Sequence, residues 1–235
     1  MFIRTLLLLP LFLALGHERL CAQAHADSVV YHLDPSSRLV VKTGKAGLFG
    51  FAGHGHVIRA RSVTGDLVYH PGQPTSHLSL KVPTDSLEVL TPPDTAEIRK
   101  VTEAMRTEVL HVDKYPEMTF AADSLDAKSG KMQMQLNVTM EGTTRKVPVT
   151  ADVRITRDTI RAGGSFDAKQ TDFGIKPFSG GPAGTVKVAD KVTFCFDLVA
   201  TRNPTAGSRA AAAASDGRTV PGCVDNSENN ARRPM

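Results

Sequence analysis

The stretch with the fewest structural options is residues 132–140, MQMQLNVTM. Met132, Met134, Leu136, Val138 and Met140 alternate one for one with Gln133, Gln135, Asn137 and Thr139. Side chains on a strand point to opposite faces in turn, so this run is a β-strand with one dry face and one wet face. On a helix the same residues would scatter around the whole surface and leave no face to bury. A one-sided strand must cover its dry face against another layer or inside a closed barrel. Three of the five dry residues are Met, an unbranched and polarizable side chain. Met serves as filler in ordinary cores, and it also suits walls that adapt to varied apolar shapes.

The same alternation recurs along the chain. Short strands are expected at residues 29–34 and 38–43, around the turn-forming Asp34-Pro35-Ser36-Ser37. Residues 44–56, GKAGLFGFAGHGH, read as a folded-back loop that sets Phe49 and Phe51 against something apolar. Strands resume at 57–60, 62–70 and 77–83, the last pointing Leu78, Leu80 and Val82 to one side. The pattern then changes once. Asp94 can cap a helix with Glu97 three residues on, and Ile98, Val101, Met105 and Val109 recur at helical spacing. This amphipathic helix is predicted to run to about Leu110, with Tyr115-Pro116 ending it. Alternation returns with Met118, Phe120 and Ala122, with Val147 to Ile155, with Ile160 to Ala168, and with Val192, Phe194, Phe196 and Leu198. Glu141-Gly142-Thr143-Thr144 and Arg157-Asp158 are hairpin turns. Roughly eight to ten antiparallel strands with one inserted helix give an all-β fold, a sandwich or, preferably, a closed barrel. An eight-stranded barrel has room for packed side chains or for one small ligand.

Not all 235 residues belong to that domain. Residues 1–24 read as a secretory signal peptide, with Arg4, an apolar run over residues 6–15 and the Ala22-Gln23-Ala24 cleavage pattern. That run is too short to span a bilayer, so an exported protein, periplasmic or secreted, is expected. From residue 203 to 235 the chain has no Leu, Ile or aromatic residue, and it reads as a disordered tail. The folded unit is residues 28–202. Losing Arg4, Arg19 and Glu18 with the signal takes 28 basic and 24 acidic residues to 26 and 23, net charge +3. That balance, evenly spread, argues against a nucleic-acid partner. Cys195 and Cys223 survive processing, but one sits in an apolar strand and the other in the tail, so a disulfide between them is not favoured. No C-x-x-C, H-E-x-x-H, P-loop or G-x-S-x-G is present, and the chain is not expected to be an enzyme or to need a cofactor.

Five segments, in order, carry a family resemblance: Tyr31 to Ser37 (YHLDPSS), Val63 to Leu67 (VTGDL), Lys114 to Phe120 (KYPEMTF), Leu136 to Pro148 (LNVTMEGTTRKVP) and Thr171 to Ile175 (TDFGI). Together they resemble the YceI-like domain over about residues 30–201. The resemblance implies an extended, lipocalin-like antiparallel β-barrel in an exported bacterial protein. It also implies an interior that binds an isoprenoid-type lipid or similar amphiphile. The segment before the lysine-tyrosine-proline motif, the His54/His56 pair and the Ala-rich tail depart from the family pattern.

The candidate ligand-binding residues are Phe49, Phe51, Leu78, Leu80, Phe120, Met134, Leu136, Val138, Phe166, Phe194 and Phe196, all expected on dry faces. The same residues would also fill a barrel that binds nothing, as in a stress-related structural module. A second site class rests on His54 and His56, whose spacing in an extended segment sets both rings on one side, as Zn²⁺ or Cu²⁺ requires. That alternative is an envelope metal- or quinone-linked protein. The partners expected are an apolar isoprenoid-type lipid or quinone and, transiently, a membrane. Oligomeric state is left open by the sequence.

Overall fold

The computed structural model describes residues 28–46, 55–73, 75–90, 95–180 and 186–202. The expected signal peptide, the tail after residue 202, Phe49, Phe51, His54 and the Asp94 cap lie outside the described residues. Thirteen strands, numbered in chain order, form one sheet among the described residues. Eight of them close into a ring: β1 (Val29–Leu33), β4 (Thr64–Tyr69), β5 (His77–Pro83), β7 (Glu117–Ala122), β9 (Lys131–Met140), β10 (Thr143–Ile155), β11 (Thr159–Lys169) and β13 (Val186–Thr201). β13 returns to β1 through His32 opposite Thr201 and Leu33 opposite Ala200. Every neighbouring pair is antiparallel. Closure removes the free edges that a flat sheet would expose. The all-β barrel with one helix is therefore the observed fold.

β1 and β2 (Arg38–Ala46) do not pair with each other as a hairpin would. Both lie antiparallel along the same edge of β13, one after the other. Asp34-Pro35-Ser36-Ser37 is the kink between them. The Asp34 amide donates to the Val199 carbonyl at 2.7 Å, and the Ser37 hydroxyl both donates to that carbonyl and accepts the Val199 amide. β2 reaches Ala46, three residues into the segment expected to be loop. Beyond it the sheet continues through β3 (Val57–Ala60) and β6 (Leu87–Val89). β9 is edged in the same divided way, by β7 on one half and by β8 (Leu125–Lys128) on the other. β12 (Ser179–Gly180) pairs with the start of β13.

Among the described residues the one α-helix, α1 (Thr95–Ala104), packs on β6, where the Thr102 hydroxyl accepts the Val89 amide at 3.3 Å. The expected α-helix to Leu110 is not continuous. Residues Met105–Val109 widen into a π-turn, closed by the Leu110 amide on the Met105 carbonyl. Arg106 donates to the Leu87 carbonyl from this turn, so tertiary contact with the strand below holds its geometry. No Gly or Pro marks the change. No described helix is long and apolar enough to cross a membrane.

A single buried cluster runs through the barrel. At the end marked by the β9–β10 turn it is solid, with Val82, Met118, Met140, Phe173, Ile175 and Val192 all buried. Cys195 faces outward on β13 by alternation yet is buried, and it is disulfide-bonded. The sequence makes a disulfide the less favoured expectation at this cysteine, and the structure carries one. The other two cysteines, Cys21 and Cys223, lie outside the described residues.

Candidate functional site

The other half of the barrel is not filled. A wholly apolar cavity of about 70 Å³ lies there, within about 850 Å³ of space between atoms that runs out towards solvent. Seven of the proposed binding residues line it: Leu78, Leu80, Phe120, Met134, Leu136, Phe166 and Phe196. Phe194 and Val138 do not reach it. Phe194 stacks on Phe166 with ring centroids 4.8 Å apart and meets Phe120 edge-on at 5.9 Å. It thus backs the floor that Phe120 and Phe166 present to the cavity.

The space itself comes from small residues. Ala151 stands opposite Gly164, Ala162 opposite Leu198, and Ile160 opposite Ala200. Ala151, Ala162 and Ala200 line the cavity, and none was singled out in the sequence. They alternate like any dry face, but a void forms only where small residues share that face across strands, which local alternation does not encode. Gly164 is required to be small: a Cβ there would stand 2.8 Å from the Phe196 ring. Leu125, Met132 and Leu67 are further lining residues. Leu125 belongs to a strand missed in the sequence, although Ser129-Gly130 is a hairpin signal.

One end of the cavity approaches solvent. Leu78, Met134, Ala162 and Leu198 line it while only half-buried, and they sit on the strand halves nearest the β10–β11 turn. Tyr31 crosses beneath this turn and donates its hydroxyl to the Arg157 carbonyl at 3.1 Å. Burial raises the Tyr31 phenol above its usual range. Asp66 touches the cavity, but its carboxylate is engaged with His32 Nδ1 at 2.6 Å.

Of the second candidate site, His56 lies among the described residues and His54 does not. The His56 amide donates to the Thr43 hydroxyl at 3.0 Å and its carbonyl accepts the Thr43 amide at 2.9 Å, a backbone clasp between β2 and the start of β3. Among the described residues no group of three or more His, Cys, Asp or Glu is placed to hold a metal ion. His111, like His32, is bonded to a carboxylate, Glu141, at 2.6 Å.

The family model of the YceI-like domain matches residues 31–200, most of the chain and all of the closed barrel apart from the ends of β1 and β13. The chain belongs to the YceI-like domain family. Two solved structures are similar in fold. BcnA of Burkholderia cenocepacia has a TM-score of 0.55 at 17% identity, covering 70% of this chain and 96% of that one. A polyisoprenoid binding domain from Saccharophagus degradans, implicated in plant cell wall breakdown, has a TM-score of 0.53 at 15% identity, covering 74% of this chain and 98% of that one. No curated protein matches in sequence.

Proposed function

We propose that this protein is an exported carrier that shields the chain of an isoprenoid-type lipid, or of a prenylated quinone, inside its barrel. The observation that carries the reading is the apolar cavity in the half of the barrel that the core leaves unfilled, within a chain of the YceI-like family. The Saccharophagus domain, which is named for polyisoprenoid binding, supports the same ligand class. Export follows from the leader pattern of residues 1–24, and a carrier of this kind loads and unloads at a membrane. Among the described residues, Asp66 is the one ionisable residue on the cavity wall and its carboxylate is engaged with His32, so the function is affinity and shielding, without catalysis.

Magnitudes constrain how the ligand enters. A cavity of about 150 Å³ takes one benzene, and this one measures about 70 Å³. A prenyl chain therefore enters only as the walls give way. Met132 and Met134, with three rotatable side-chain bonds each, are the wall residues best able to move. Burying chain at ~25 cal/mol per Å² of apolar surface then supplies the affinity. The test is native mass spectrometry of the protein expressed with its first 24 residues and purified from the envelope without detergent, followed by lipid extraction. A stoichiometric prenyl adduct is expected. An apo mass, together with no uptake of added prenyl lipid, would sink the carrier reading and leave a self-filled barrel.

A further inference from the structure

The cavity-side end of the barrel carries a charge pattern that the fold does not require. Arg154 and Arg161 are direct cross-strand neighbours on β10 and β11. Like charges so placed repel and destabilise the pair. Arg157 sits in the turn between the two strands, and Arg202 follows β13 beside that turn, its amide donating to the Asp158 carbonyl. None of these four arginines has a side-chain hydrogen bond or ion pair among the described residues. Lysines at the same end behave differently: Lys128 pairs with Asp126, and Lys131 with Asp152. Asp158 shares the turn with Arg157, and Asp152 and Asp197 both stand opposite Gly163, two residues from Arg161; Asp152 is already paired with Lys131.

The same end carries the apolar exceptions of the surface. Val30, 43% exposed, and Ile155, 37% exposed, are the large hydrophobic residues left exposed among the described residues. Ile155 directly follows Arg154, opposite Ile160. Val30 lies on β1 next to Tyr31, whose hydroxyl is bonded to the Arg157 carbonyl. Unpaired arginines flanking exposed aliphatic residues match the chemistry of an anionic bilayer surface, which takes cations at its headgroups and short apolar side chains just beneath them.

We infer that the rim formed by Val30, Arg154, Ile155, Arg157, Arg161 and Arg202 docks the barrel on an anionic phospholipid surface, with the half-buried mouth of the cavity facing the membrane. This names the membrane contact within the carrier reading and rests on that reading for its purpose, but the docking itself is measured separately. It also gives the Arg154–Arg161 juxtaposition a use, since the repulsion is relieved when phosphates approach.

The experiment is co-sedimentation of the chain lacking residues 1–24 with vesicles of phosphatidylcholine, with or without phosphatidylglycerol. Binding is expected only to the anionic vesicles, and it should fall at high salt. Each arginine near such a surface is worth about fivefold in partitioning, so R154Q/R161Q is expected to bind roughly 25-fold more weakly. Ile155→Asp should weaken binding at any salt concentration, and R99Q/K100Q on α1 should not. Thermal unfolding of R154Q/R161Q should be unchanged or raised, which separates lost docking from lost fold. Equal binding to neutral and anionic vesicles, or undiminished binding of R154Q/R161Q, would overturn the assignment; the latter would place the contact elsewhere, such as in the arginine-bearing segment after residue 202. Uptake of geranylgeraniol in vesicle-free solution, scored by mass, is the independent arm. Failure of uptake with intact anionic-vesicle binding counts against the carrier alone, and normal uptake with no vesicle binding counts against the docking alone.

Discussion

Gly164 and Gly65 set the shape of the cavity. A Cβ on Gly164 would meet the Phe196 ring at 2.8 Å and the Thr150 carbonyl at 3.1 Å, so Gly164→Ala drives the ring into the cavity. We expect this variant to lose prenyl-lipid uptake while losing only about 1–3 kcal/mol of stability, the usual range for overpacking. Uptake equal to wild type by native mass spectrometry would show that Phe196 does not bound the ligand. Gly65 has φ of +151°, and a Cβ there would run into the Ser79 carbonyl and Leu80. Only glycine tolerates that approach between β4 and β5. Phe194 tests the opposite role. It is almost fully buried behind the cavity floor, so Phe194→Ala should cost ~3–5 kcal/mol. Met134→Ala, at the half-buried wall, should cost less than half of that. Urea titrations of the two variants settle the contrast, and equal costs would contradict a solid half and an adaptable half.

At the scale of elements, the hairpins and their clasps decide which strands meet. Ser129 and Gly130 both have positive φ, as do Glu141 and Gly142. These are the two-residue turns whose twist matches antiparallel strands. Glu141 is an unusual residue for that conformation, and its carboxylate reaches His111, itself at φ +43°. The contact ties the end of the helical segment to the hairpin. Glu141→Asn should therefore favour the turn while releasing the helical end, seen as faster amide exchange over residues 105–112. Unchanged exchange there would mean that packing alone holds the segment. On the barrel wall, Asp167 accepts hydrogen bonds from Thr193 and from Lys191, and these hold its carboxyl below the usual 3.8. A depressed folded-state pKa adds stability above the unfolded value and loses it as pH falls through the folded value. Asp167→Asn should thus be slightly less stable than wild type at pH 7, with the gap closing below about pH 4. The effect is small because the pair is half exposed and screened. A gap that persists at pH 2 would trace it to packing.

For the whole molecule, the closed ring leaves one end solid and the other short of side-chain volume. A ligand that fills the deficit binds the folded state alone, so it must stabilise it. At a hundredfold excess over Kd the gain is about 2.7 kcal/mol. For a domain of this size that is a rise in Tm of roughly 5–10 °C. Prenyl lipid is expected to give this shift, and a flat melting curve across the titration would argue for a barrel that fills itself.

The sequence alone determined the strand character of nearly every β element. Period-two burial is a local property, and β9 carries it without exception, from Met132 through Met140. It also carried the helix, the main hairpin and the order of segments that mark the family. β6 and β8, of three and four residues, carry too few alternations for a period to register. Tertiary structure decided the rest. Whether β1 and β2 pair or share an edge of β13 depends on a kink held by Val199, 162 residues away from Ser37. Where the cavity lies depends on which small residues face one another across strands, as Ala151 and Gly164 do. The arginine rim exists only because a turn, two strand ends and the chain after β13 converge on one end. Such juxtapositions belong to register and closure, which no local pattern encodes.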